Sequence, residues 1–401
     1  MKKTSLGVVF LIVMMDLVGF GLILPLIPLY ADHLGASVTY IGLLLSIYSI
    51  MQFVFNPLWG SLSDRLGRRP VILISLAGSS LSYVLYGSAE FVSNDPDVVL
   101  GVLFFSRMMA GLMGANISTA QAYVADITKP EDRARGMGVV GAAIGLGFVL
   151  GPAMGAVFSQ DAMQDAFGMS APGFVAAFIC LVNLGWAMMR LGESLPEKNR
   201  RTVKPIQNRW RMALGQPVLM LTLGALFLLT LTFTQMETSF ALLGKRQFQF
   251  STAVIGMVFA YIGIVVVVMQ GGMTKRIVRK MGEEKTLILG SLVMAGGMGM
   301  VAGLNDAAWV VAGLGLVGAG LGLSQPCLLS LLSLNAPADK QGLFLGLGQS
   351  LGSLARIFGP NLGLNLFGVI SMRAPYWLGG GLMLGVALAG MILAGKKTRK
   401  E

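Results

Sequence analysis

Four ionisable side chains, Asp16, Arg107, Glu237 and Arg356, each stand inside a long apolar run. A charge at the centre of a bilayer costs about 2.5–3.5 kcal/mol even on the lenient insertion scale, so such residues mark substrate or proton pathways. Two acids and two bases can partly neutralise one another. A carboxyl in such a place can take up a proton and give it back during a transport cycle. Asp16, Arg107, Glu237 and Arg356 are therefore the candidate proton-coupling residues. Glu237 can also lie close to the outer surface, and Arg356 can simply pair across the core.

A second constellation follows the second apolar run: Gly60-Ser-Leu-Ser-Asp64-Arg65-Leu-Gly67-Arg68-Arg69-Pro70. Its glycines permit a tight turn. Asp64 can accept from backbone amides at a neighbouring helix N-terminus or pair with a basic residue. A loop of this kind can act as a conformational latch, with Gly60, Asp64, Arg65, Gly67 and Arg68 as its parts. Polar side chains also interrupt the apolar runs. Tyr48, Gln52, Asn116, Gln235, Gln325 and Gln349 are the candidate substrate-cavity residues, with Asn56, Gln121 and Asn361 beside them. Each alone can equally serve as an interhelical hydrogen bond. The 26 methionines can make such a cavity adaptable, or serve as filler.

These residues sit in a chain of 401 residues, 55% apolar and 12% charged. Soluble domains carry roughly 25% charged residues, and a soluble chain could not hide this much apolar surface. A secreted enzyme, a disordered protein and a nucleic-acid binder are excluded. The net charge of +11 then reads as basic cytoplasmic loops. Cys180 and Cys327 both lie in apolar runs and His33 is the one histidine, so neither a disulfide framework nor a metal site is expected. There is no Gly-x4-Gly-Lys-Ser/Thr loop for ATP and no nucleophile–base pair. No cofactor, no enzymatic activity and no nucleic-acid partner are expected.

The elements that must position the charges are helices. A bilayer core of about 30 Å needs about 20 helical residues. Twelve apolar runs meet this: 6–29, 39–59, 70–90, 98–124, 135–158, 171–191, 216–240, 252–272, 284–303, 308–334, 342–369 and 375–395. They are continuous, not the alternating segments of a β-barrel. The first follows Lys2 and Lys3 but contains Asp16 and is too long for a signal peptide, so it is read as a retained helix. Arg65, Arg68, Arg69, Lys129, Arg133, Arg135, Lys275, Arg276, Arg279, Lys280, Lys285 and the terminal Lys396, Lys397, Arg399 and Lys400 fall on one side. Asp32, Glu90, Asp95, Asp97, Asp161, Asp165 and Asp306 fall on the other, with Lys245, Arg246 and Arg373 as its basic residues. Both termini are thus expected in the cytoplasm. Residues 1–191 form one expected six-helix bundle, 192–215 a basic cytoplasmic linker, and 216–401 the second bundle.

The halves repeat. Gly147-Phe-Val-Leu-Gly151-Pro152-Ala-Met-Gly155 returns as Ala355-Arg-Ile-Phe-Gly359-Pro360-Asn-Leu-Gly363, and Pro130-Glu-Asp-Arg133 returns as Pro337-Ala-Asp-Lys340. Gly60-Ser-Leu-Ser-Asp-Arg65 returns weakly as Gly271-Gly-Met-Thr-Lys-Arg276. Each pair is separated by about half the chain. Parallel repeats of this kind bind substrate near the midplane and alternate access. The glycines of the fifth run also let helices approach closely, and its proline kinks the helix.

The Gly60–Pro70 string, the twelve runs and the repeat resemble the major facilitator superfamily over essentially the whole chain. The resemblance implies an all-α fold of two six-helix pseudo-symmetric bundles. Gly147-x-x-x-Gly151-Pro152-x-x-Gly155 looks like the superfamily's antiporter motif, which is associated with proton-driven exporters. Asp16-Leu-Val-Gly19-Phe-Gly21-Leu-Ile-Leu-Pro25 resembles the first-helix signature of drug/proton antiporters, and Arg107-Met-Met-Ala-Gly111 their fourth-helix arginine motif. Asp126-Ile-Thr-Lys-Pro-Glu-Asp-Arg133, Glu237-Thr-Ser-Phe240 and Lys245-Arg246 are similar to tetracycline/proton exporters. On this resemblance Asp126 and Arg133 join the latch. Where those exporters carry an acid in the third helix, Gly78-Ser-Ser-Leu-Ser82-Tyr83 has Ser82.

The resemblance implies a proton-coupled antiporter exporting small lipophilic, drug-like compounds. Its partners are a small-molecule substrate, protons and the lipid bilayer, and it is expected as a monomer in the inner (plasma) membrane. The alternative is a proton symporter importing a sugar or other small metabolite, which would need a strongly polar cavity.

Overall fold

A computed structural model of the protein describes residues 6–114, 116–128, 133–158, 168–195, 216–336 and 341–397. The paired Pro130 and Pro337 segments, Asp161, Asp165 and the basic run Lys198–Arg211 lie outside them, as do the side chains of Asn116 and Arg133. The described residues are helical: α1 Leu6–Ile23, α2 Ile27–His33, α3 Val38–Leu66, α4 Arg68–Val92, α5 Pro96–Met113, α6 Asn116–Ile127, α7 Arg133–Phe158, α8 Ala171–Arg190, α9 Pro217–Phe248, α10 Thr252–Val268, α11 Thr274–Gly303, α12 Ala307–Asn335, α13 Gln341–Val369 and α14 Ala374–Lys397. No strand occurs among them.

Nine of these stretches are long and apolar enough to cross a membrane, and Val139–Gly155 is a shorter apolar helix. One of the nine, Thr252–Gly303, contains two of the expected crossings. Between the two crossings the backbone leaves the helical region at Gly282, so two helices meet there at a kink. The first helix runs on through a π turn at Met269–Met273 as far as that kink, where Gly282 has φ +81°. The basic residues Lys275, Arg276, Arg279 and Lys280 are therefore helical.

Two other expected crossings are broken. The first stops at Ile23 and resumes at Ile27, beside Pro25 and Pro28, because proline has no N–H to give a preceding turn. The fourth breaks after Met113, at Gly114. Some helix starts carry side-chain caps: Ser37 accepts from the Tyr40 N–H, and Asp306 from the N–H groups of Ala308 and Trp309.

The chain divides into two compact units, Met1–Lys204 with Gln249–Ala260, and Pro205–Phe248 with Tyr261–Glu401. In the first, α1 lies on α7 and α8, α4 on α5 and α8, and α3 on α5. Its core joins Val9, Ile12, Val13 and Leu17 of α1 to Ile72, Leu76, Tyr123, Val124, Val140 and Ala143. In the second, α11 lies on α12 and α14, and α9 on α13 and α14.

Lipid is as apolar as a helix face, so close van der Waals fit has to hold such helices together. The Gly147–Gly155 motif supplies that fit. A Cβ on Gly151 would stand 2.7 Å from the Gly21 backbone, and one on Gly155 2.7 Å from the Leu22 carbonyl. The motif is thus the seam between α7 and the helix that carries Asp16. Its repeat does the same in the other unit. Gly359 meets Thr234, and a Cβ on Gly363 would stand 2.8 Å from the Gln235 carbonyl oxygen on α9. Cys180 and Cys327 are free and buried.

Candidate functional site

The stretch expected as a loop is helical through Leu66, and the end of α3, Gly67 and the start of α4 close around Arg68, which is only 8% exposed. Its Nη1 reaches Asp64 Oδ1 at 2.5 Å and donates to Ser63 Oγ at 2.6 Å, while its Nε donates to Asp126 Oδ2 at 3.1 Å. Glu193 is the residue that sequence reading missed. Its carboxylate spans the start of α4, accepting from the Arg68 N–H at 2.8 Å and the Arg69 N–H at 3.2 Å. The first amides of a helix have no partner within it and carry positive charge, and a carboxylate satisfies both needs. Gly67, with φ +107°, makes the approach possible, since a Cβ there would collide with the Glu193 carboxylate.

The Arg69 side chain completes the knot by donating to the Leu191 and Met188 carbonyls at 2.8 and 3.0 Å, at the end of α8. Ser194 donates to Asp126 at 3.0 Å. The expected linker thus begins with residues docked on this junction. Of the other expected latch residues, Arg65 is exposed and the space beside Gly60 is open. The only signal for Glu193 in the sequence was an acid just after a helix end, in a stretch otherwise dominated by basic residues.

Within the same unit, Asp16 is half-buried on α1 and lies within electrostatic reach of Tyr83 and Cys180. One turn on, a Cβ at Gly19 would stand 3.4 Å from Cys180 Sγ and 3.5 Å from the Tyr83 ring. Arg107, on α5, is 2% exposed. Its guanidinium carbon lies 4.6 Å from the Tyr48 ring centre and 5.6 Å from that of Phe20. Its Nε makes no hydrogen bond, and no ion pair to it falls among the described residues. Aromatic faces in place of a carboxylate hold this cation, with the phenols of Tyr48, Tyr83 and Tyr86 around it. Tyr83 is the neighbour that Asp16 and Arg107 share.

Tyr48 and Gln52 are committed to this frame. The Gln52 amide donates to the Tyr48 hydroxyl at 3.0 Å and to the Gly114 carbonyl at 3.3 Å, at the break between α5 and α6. Ser82, at the position where the exporters carry an acid, is buried and donates to the Gly78 carbonyl at 2.7 Å.

In the second unit, Glu237 on α9 and Arg356 on α13 interact electrostatically, and Arg356 Nη2 donates to Ser353 Oγ at 3.0 Å. Gln235 is fully enclosed and donates to the Pro375 carbonyl at 3.1 Å. It sits in the α9–α13–α14 packing, without an open face. Gln325 accepts from the Gln270 amide at 3.3 Å, and Gln349 is exposed.

The sequence model of the Major Facilitator Superfamily matches residues 9–360. The chain is 31% identical to the class C tetracycline resistance protein of Escherichia coli, covering 97% of this chain and 95% of that one. It is 28% identical to multidrug resistance protein 2 of Bacillus subtilis (strain 168), covering 96% and 93%. Among solved structures it resembles the human organic anion transporter MFSD10 (TETRAN), with TM-score 0.70, 27% identity and coverage of 96% and 98%.

Proposed function

The chain belongs to the Major Facilitator Superfamily, and from that premise we propose that it is a proton-coupled antiporter exporting small lipophilic, drug-like compounds by alternating access. The observation that carries the reading is Asp16: a half-buried carboxyl on the apolar helix that packs on the glycine seam of α7, sharing the neighbour Tyr83 with the buried Arg107. The tetracycline and multidrug resistance relatives favour export over import of a sugar or metabolite.

The cycle follows from competition. The outward state admits a proton to Asp16. The inward state releases it and takes substrate, whose charge or hydrogen bonds favour deprotonated Asp16. Proton and substrate exclude each other, which couples their gradients. Arg107, Glu237 and Arg356 share the coupling role. The Asp64–Arg68–Asp126 cluster, fixed by Glu193, is the latch that holds one state. Ser82, in place of an acid, points to substrates other than a tetracycline–metal chelate.

The protein is a multi-pass membrane protein. Its charge asymmetry supports an inner-membrane orientation with both termini cytoplasmic. We assign residues 1–191 and 216–401 to the two bundles, 192–215 to the cytoplasmic linker, and a monomeric state.

The test uses acidified everted vesicles challenged with lipophilic cations, neutral drugs, tetracyclines and sugars. A substrate-evoked rise in lumenal pH, lost in Asp16→Asn, supports antiport. Uphill export that persists in Asp16→Asn removes Asp16 from the coupling role.

A further inference from the structure

A row of buried hydroxyls runs through the first unit from one end of α4 to Asp16. Tyr83, Tyr86 and Glu90 lie at i, i+3 and i+7 on α4, hence on one face, and span about 10 Å of helix axis. Glu90 is half-buried near the end of α4 opposite the Asp64 cluster, where water can reach it. Ser170 Oγ donates to Glu90 Oε2 at 3.2 Å. The Tyr30 hydroxyl faces Glu90 and Ser170 without closing a hydrogen bond of good geometry. Tyr30 in turn stands edge-on to Tyr86, with ring centres 5.7 Å apart.

Tyr30 and Tyr86 are each 1% exposed, and among the described residues neither hydroxyl closes a hydrogen bond of good geometry. A buried polar group left unsatisfied calls for a specific explanation. The groups facing this row are few. Tyr86 feels Glu90 and Arg107, and Tyr83 feels Arg107, Tyr48, Cys180 and Asp16. The row therefore has a carboxyl at each end, phenols between, and one cation beside its middle.

We propose that Glu90, Tyr30, Tyr86 and Tyr83 form a proton-access route that delivers protons to Asp16 from the Glu90 end of α4. The inference rests on the reading of Asp16 as the proton-coupling carboxyl. Each hydroxyl accepts one proton and passes on another, with single waters closing the gaps. The net change is one proton lost from water at Glu90 and one gained by the Asp16 carboxylate. The Arg107 charge beside Tyr83 and Tyr86 repels a passing proton, as cations do in pores that must not leak protons. The route conducts only when Arg107 shifts.

The experiment follows the carboxyl stretch of Asp16 by infrared difference spectroscopy after a pH jump, using the full-length protein in liposomes. Asp16→Asn identifies the band. In Glu90→Gln and in Tyr86→Phe, the band should reach wild-type amplitude with an unchanged pH midpoint but rise at least about tenfold more slowly, a modest share of what a positioned proton donor contributes. An unchanged rate in both variants overturns the route and leaves the coupling role of Asp16 intact. A shifted midpoint with an unchanged rate assigns the cluster a structural role and also overturns it. If the wild type shows no Asp16 band, the coupling reading itself fails, and the route with it. Tyr30→Phe keeps the ring packing and provides a second variant should Glu90→Gln fold poorly.

Discussion

Gly67 and Glu193 lie far apart in sequence, yet the carboxylate of one fills the space that any side chain on the other would need. The contact explains why a left-handed glycine stands between α3 and α4. Gly67→Ala should therefore fail twice, once on backbone strain, which costs about 1–3 kcal/mol, and once on loss of the cap. Glu193→Ala removes only the cap, which costs about 0.5–2 kcal/mol. Thermal unfolding in detergent should rank the wild type above Glu193→Ala, and Glu193→Ala above Gly67→Ala. Equal unfolding of all three would remove the cap from the latch.

Two glycines of α7 should behave oppositely. Nothing lies within 4 Å of a Cβ on Gly141, whereas one on Gly151 would press on the Gly21 backbone. Gly141→Ala should be neutral or stabilising by up to about 1 kcal/mol through helix propensity. Gly151→Ala should cost about 1–3 kcal/mol through overpacking and should lower export by displacing α1. Paired melting curves and vesicle assays of the two variants check this.

Arg107→Lys should keep the charge and lose the flat guanidinium that stacks on Tyr48 and Phe20. Lys and Arg are not interchangeable at a stacked site. Export should fall even where the protein inserts normally, because a desolvated cation–π contact is worth about 2 kcal/mol. Full export by Arg107→Lys would show that charge alone suffices there.

Glu237 and Arg356 should couple energetically. Each single change to Gln leaves the other charge less compensated, and the double change leaves neither. A double-mutant cycle on unfolding should return an interaction energy of about 0.5–3 kcal/mol. A value near zero would mean that the two charges stabilise the fold independently.

Ser82→Asp should not restore an exporter-like third helix. Ser82 is buried and bonded within its own turn. An acid there should cost about 2.5–3.5 kcal/mol on insertion and show as reduced yield of folded protein. Wild-type yield with new tetracycline export would mean that the site tolerates the acid.

The membrane fold was legible in the sequence because length and hydropathy are local. The continuous apolar runs, the Gly-Pro repeat and the buried charges all follow from residue type and spacing. What escaped depended on helix rotation or on distant pairing. Gln235 carries a polar amide in an apolar helix, and only packing reveals that it faces Pro375 instead of an opening. Nothing in the residue type of Tyr83 marks it as the neighbour shared by Asp16 and Arg107; only the packing of α1, α4 and α5 does. Glu193 was invisible as a cap because its partners, the Arg68 and Arg69 amides, are backbone atoms that sequence does not mark. The division between the crossings 252–272 and 284–303 was legible, and the helix does break at Gly282; what a basic stretch concealed is that residues 274–281 before the break are helical, reached through a π turn.

The burial of both native thiols has a practical consequence. Cys180 and Cys327 are 0% and 1% exposed, so maleimide reagents should leave the wild-type chain blank. A single cysteine engineered at an exposed position, such as Gln349, would then be the one label carried by the molecule. Spin or fluorescent reporters could follow the working cycle in a chain whose own sulfurs remain untouched.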